Sequence, residues 1–112
     1  MIRKKYCVDG TWLESKTEKW MPVTDSSTGA VIAEVPSCTQ DEVLAAIDAA
    51  DRAFSTWSQM SLSKRTQLLF HWRNVLMEHL EELTLLCARE LGKTLNEARG
   101  DVLKAIEPTE LA

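Results

Sequence analysis

The chain has 112 residues, 45% of them apolar and 27% charged, with a net charge of −4. That is one small globular domain at most, not a disordered or membrane composition. Lys and Arg are interleaved with Asp and Glu, so no basic face can follow a phosphate backbone, and no apolar run approaches membrane-spanning length.

The start, Met1-Ile2-Arg3-Lys4-Lys5, is basic, but only Tyr6-Cys7-Val8 follows before Asp9. That is too short for the apolar core of a signal peptide, so a cytoplasmic location is the expectation. Tyr6-Cys7-Val8, Asp9-Gly10 and Thr11-Trp12-Leu13 read as a hairpin, because Asp-Gly suits a two-residue turn with positive φ at both positions. Trp20 to Thr24 is a strand that Pro22 restricts to an edge or an irregular position. Asp25 to Gly29 is a turn cluster. Ala30 to Val35 is a further strand, ended by Pro36. The sheet part is thus residues 6 to 35, in three or four short antiparallel strands.

Thr39-Gln40-Asp41-Glu42 has the form of a capping box and opens a helix. Its apolar stripe is Val43, Ile47, Ala50, Phe54 and Trp57. A second helix starts near Ser61, with Leu62, Leu69, Trp72 and Leu76 on one face, widened by Leu68 and Val75. A third runs from about Leu80 to Leu91 with Leu80, Leu83 and Cys87 in register, and Gly92 fits its left-handed C-terminal cap. Thr94-Leu95-Asn96-Glu97 is another capping box, leading into Leu95, Ala98, Val102 and Ile106. Pro108 is expected to kink or end that helix. The fold class is α+β: a strand segment over 1–37, then three or four helices over 38–112.

The residues that could carry chemistry have simpler roles. Cys7, Cys38 and Cys87 form no C-x-x-C pair and suit no closed disulfide set. Cys87 lies on an apolar stripe, Cys7 in a strand, and only Cys38 is near a helix start, where a thiol is activated. His71 and His79 are about two helical turns apart, too far to share one metal. Gly92-Lys93-Thr94 resembles the end of a phosphate-binding loop, but the upstream glycine that loop needs is Cys87 and no strand precedes it. Glu78, Glu81, Glu82 and Glu90 read as helical surface charges, with Arg89 and Lys93 paired to acidic neighbours. No catalytic, cofactor-binding or metal residue is identified.

Five stretches in order carry a resemblance. Val8-Asp9-Gly10-Thr11-Trp12 matches an "I-D-G-x-W" hairpin. Ser27 to Ala33 matches an "x-T-G-x-V-I-A" turn and strand. Val43 to Trp57 matches an "A-x-x-A-A-x-x-A-F-x-x-W" helix, and Arg65 to Leu69 an "R-x-x-x-L" helix start. Glu90-Leu91-Gly92-Lys93-Thr94-Leu95, with Glu97-Ala98 and Gly100-Asp101-Val102, completes the set. Together they resemble the N-terminal part of aldehyde dehydrogenases. Gly100-Asp101-Val102-Leu103-Lys104 and Glu107 most resemble the methylmalonate-semialdehyde dehydrogenase branch. Asp25-Ser26 departs from the usual Asn-Pro, Ala105 from a usual glycine, and Pro108 from a normally continuous helix.

The resemblance implies an incomplete part of the α/β fold and of an NAD-binding domain. Family members are several times longer. They oxidise an aldehyde through a thiohemiacetal on a cysteine and pass hydride to NAD, and this branch then transfers the acyl group to coenzyme A. The catalytic Cys, general-base Glu and cofactor loop lie beyond the matched segment, so the segment alone is expected to be inactive and to hold no cofactor. Its expected partners are the remainder of a dehydrogenase chain, or itself, through the apolar helix faces, with a homo-oligomer for the full enzyme. The other reading is a small helical interaction or scaffold protein derived from such a gene.

Overall fold

A computed structural model describes residues 2–112. Four strands, β1 (Tyr6–Val8), β2 (Thr11–Leu13), β3 (Trp20–Thr24) and β4 (Val31–Pro36), precede four helices, α1 (Gln40–Trp57), α2 (Leu62–Glu78), α3 (Leu80–Leu91) and α4 (Leu95–Leu111). The strands form two separate antiparallel pairs, β1 with β2 and β3 with β4. The chain divides into two compact units, Met1–Thr24 with Gly29–Gln59 and Asp25–Thr28 with Met60–Ala112.

In the first unit Asp9 (φ 51°) and Gly10 (φ 72°) are both left-handed, the twist that a two-residue hairpin loop needs. Pro22 lies opposite Glu34 in the β3–β4 ribbon. The basic start has a structural use that the sequence did not reveal. Glu34 N–H donates to the Ile2 carbonyl at 2.9 Å, and Lys4 N–H donates to the Glu34 carbonyl at 2.8 Å. Residues 2–4 therefore run along the outer edge of β4. Arg3 closes this corner, paired with Glu34 at 3.1 Å and stacked 4.6 Å above the Trp20 ring.

The capping box at α1 is complete: Thr39 Oγ accepts from Glu42 N–H, and the Glu42 carboxylate accepts from Thr39 N–H. Glu42 does more than cap. Its carboxylate also accepts from Lys16 N–H and from the Ser15 hydroxyl, each at 2.7 Å. One side chain thus fixes both the start of α1 and the loop after β2. These donors, the Lys16 amide first and then Ser15, hold the Glu42 pKa below the ordinary carboxylate value.

The second unit is built on α4, which packs against both α2 and α3. Ala98 and Ile106 on α4 are buried, as is Thr84 on α3, whose hydroxyl donates to the Leu80 carbonyl at 2.7 Å. Ion pairs flank this core. Arg99 grips Glu81 with two bonds, at 3.1 and 2.7 Å, and Arg73 meets Glu110 at 3.0 Å. His79 separates α2 from α3 at a single residue.

Two expectations are corrected. At α4 only half of the capping box forms: Thr94 accepts from Glu97 N–H, with no return bond from the Glu97 carboxylate among the described residues. Pro108 does not end α4, which continues to Leu111. Proline removes only its own donor, and the helix resumes beyond it, with Ala112 N–H donating to the Pro108 carbonyl at 3.0 Å.

Two predictions follow from these contacts. A carboxylate whose folded pKa is depressed stabilises fully above its unfolded value and loses that contribution as pH falls through the folded one. Glu42→Gln should therefore lower the melting temperature at neutral pH and shrink the drop between neutral and acid melts. An equal drop in both proteins would refute the role given to Glu42. In the helical unit, Ile106→Ala should cost about 2–5 kcal/mol by denaturant titration. Leu111→Ala, at a side chain 90% exposed, should cost less than about 0.5 kcal/mol.

Candidate functional site

The three cysteines are free thiols, Cys7 exposed and Cys38 and Cys87 half-buried. Cys38 directly precedes the Thr39 cap, and Cys87 lies within α3. His71 and His79 are both exposed, and His79 Nδ1 sits 3.0 Å from Glu82. Among the described residues no three His, Cys, Asp or Glu side chains converge as a metal site.

Gly92-Lys93-Thr94 is used entirely for helix ends. Gly92 is left-handed (φ 66°) after α3, and Thr94 caps α4. Lys93 Nζ reaches across to Asp101, which raises the Lys93 pKa and lowers that of Asp101. Arg89 and Lys93 each pair with an acid, neither of them a close neighbour in sequence. Arg89 faces Asp25 at 3.8 Å, and Lys93 takes Asp101. Glu81 is an exposed helical charge as expected, and the Arg99 fork holds its pKa down. Nothing in local spacing announces these partners.

What the arrangement offers is apolar surface. On α1 the apolar stripe is exposed along its length: Val43, Ile47, Ala50, Phe54 and Trp57, with Phe54 exposed by 64%. Beside it Ala46, Ala49, Ala50 and Ala53 line a cleft with Cys7, Val8 and Asp9, Ala46 and Ala49 half-buried. On α2, Leu69, Val75 and Leu76 are half-buried, whereas Leu68 and Trp72 are exposed. On α3, Leu85 and Leu86 are exposed. Arg65 Nε is shut from solvent with no acceptor among the described residues.

The total accessible surface is 8539 Å² for 12.6 kDa. A folded monomer of that mass exposes roughly 6,200 Å², and two separate monomers of half the mass roughly 7,500 Å². The surplus is therefore not explained by division into two units. Large apolar side chains are among those exposed, the kind of surface found on docking faces.

The family model described as "Aldehyde dehydrogenase family" matches residues 12–112. The chain is 43% identical over 112 residues to a malonate-semialdehyde dehydrogenase of Listeria monocytogenes serotype 4a, covering 99% of this chain and 23% of that protein. It is 39% identical over 106 residues to an Aedes aegypti protein named "probable methylmalonate-semialdehyde/malonate-semialdehyde dehydrogenase", covering 95% of this chain and 20% of that one. Among solved structures, an NADP-dependent enzyme of E. coli superposes with a TM-score of 0.89 at 35% identity, over 97% of this chain and 23% of that one. The chain thus spans less than a quarter of the length of the relatives it matches.

The exposed faces set an expectation for the isolated chain. It should bind a hydrophobic dye or self-associate on size-exclusion chromatography, and Phe54→Ser should reduce either effect. A compact, dye-silent monomer would count against docking.

Proposed function

The chain belongs to the aldehyde dehydrogenase family, and from that premise we propose that it is the N-terminal segment of a semialdehyde dehydrogenase acting on malonate or methylmalonate semialdehyde. In this reading the full enzyme passes hydride to NAD and, if it follows the acylating branch, delivers its acyl group to coenzyme A. The segment supplies no reacting group. It supplies strands and helices that complete a nucleotide-binding domain, and it turns over no aldehyde by itself.

The observation that carries this reading is the pairing of finished local structure with unfinished burial. The helix starts at Thr39, Ser61 and Thr94 are capped by their own side chains. The buried apolar residues are nevertheless only Ala33, Ala98 and Ile106 among the described residues. A segment evolved to work alone would turn Ile47, Phe54 and Trp72 inward. A segment evolved against a larger body presents them outward. The partner is accordingly the rest of a dehydrogenase chain. A homo-oligomer of the completed enzyme in the cytoplasm belongs to the same proposal.

One observation favours the scaffold reading for part of the chain. The helices α2, α3 and α4 share a small core and cross-helix ion pairs. That reading requires a single cooperative unfolding transition with no exposed apolar face.

A chimera tests the proposal. The matched N-terminal residues of the Listeria enzyme are replaced by these 112 residues, and NADH formation from malonate semialdehyde is followed. Activity within about tenfold of the parent, about 1.4 kcal/mol in barrier, is expected. The 112-residue chain alone should give no signal. A soluble, folded chimera without activity would sink the proposal, as would turnover by the isolated chain.

A further inference from the structure

We infer that residues 25–28 are a strap that closes the C-terminal end of α3, so that the helical unit is completed by a turn lying between β3 and β4. Contact grouping places these four residues with Met60–Ala112, although the residues on either side of them belong to the other unit.

Asp25 first folds the turn upon itself. Its Oδ1 accepts from the amides of Ser27 at 2.8 Å and Thr28 at 3.2 Å, and its carbonyl accepts from Thr28 N–H at 3.3 Å. The other carboxylate oxygen faces Arg89 in the last turn of α3 at 3.8 Å. The Ser26 hydroxyl then donates to the carbonyl of Glu90. That carbonyl is one of the last four of α3, which no amide of the same helix can reach. Ala88, another of these four, accepts from the residues just past the helix, Gly92 N–H at 2.9 Å and Lys93 N–H at 3.2 Å.

Gly92 is required here on two counts. Its φ of 66° disfavours any side chain. A Cβ at this position would also stand 3.3 Å from both Ser26 Cβ and Ser27 Oγ. The first count is met at many helix ends, but the second arises only because the strap lies against this one. The place where α3 stops, and where Lys93 departs toward Asp101, is therefore set partly by a serine 64 residues earlier. The strap acts as a conformational coupler: a change at Ser26 is felt at the α3–α4 junction. It stands whether or not the chain serves a dehydrogenase.

The test is amide hydrogen exchange on the full 112-residue chain, read at Gly92 and Lys93. Ser26→Ala should speed exchange at these two amides by about three- to tenfold, the range a net hydrogen bond supports. The Val43 amide, which donates to the Thr39 carbonyl at the far cap of α1, should be unchanged. Ser27→Ala should leave all three as in the natural chain, whereas Gly92→Ala should speed Gly92-site and Lys93 exchange more than Ser26→Ala does. Unaltered exchange at Gly92 and Lys93 in Ser26→Ala would overturn the strap. So would equal acceleration at Val43, which would mean general loosening in place of a local latch.

Discussion

Polar backbone groups at helix ends and strand edges must find partners wherever water is excluded, and this chain meets that demand with local side chains and neighbouring backbone. Glu42 is the clearest instance. Its carboxylate receives three different donors, from Ser15, Lys16 and Thr39. Those bonds bind the loop after β2 to the first turn of α1. Strands of three residues have little stability alone, so β1 and β2 persist because a helix is anchored beside them.

Apolar burial does not keep pace. Leu68, Trp72 and the outer stripe of α1 have the periodicity of core residues and the exposure of surface ones. The helical unit manages with a thin core because α4 is small where it must come close: Ala98 has no exposed surface, while Ile106 fills the wider gap. The ion pairs around that core are exposed and add register more than energy. The Listeria relative it matches has more than three quarters of its own length outside the matched stretch.

The legible features of the sequence were those whose partners lie within a few residues. Asp9-Gly10, Thr39 with Glu42, and Gly92 each announce a backbone geometry through their own chemistry, and each adopts it. The contacts that escaped are long in sequence: Ser15 to Glu42, Ile2 and Lys4 to Glu34, Arg99 to Glu81, Ser26 to Glu90. No spacing rule reaches that far. Pro108 does not end α4 because hydrogen bonding resumes beyond it at Ala112. The apolar stripe of α1 was visible, but periodicity gives a face and not its direction. The alanines that line a cleft with the hairpin turn lie on the flank of that stripe.

The β3–β4 ribbon is guarded along both margins. On one, residues 2–4 occupy the backbone groups of Glu34. Because those groups point away from β3, Pro22, paired opposite Glu34, must likewise turn its nitrogen outward. The remaining margin therefore lacks a donor at its centre, and a ribbon so blocked resists growth by strand addition. A chain with this much exposed apolar helix is thereby closed to one of the commonest routes into aggregates.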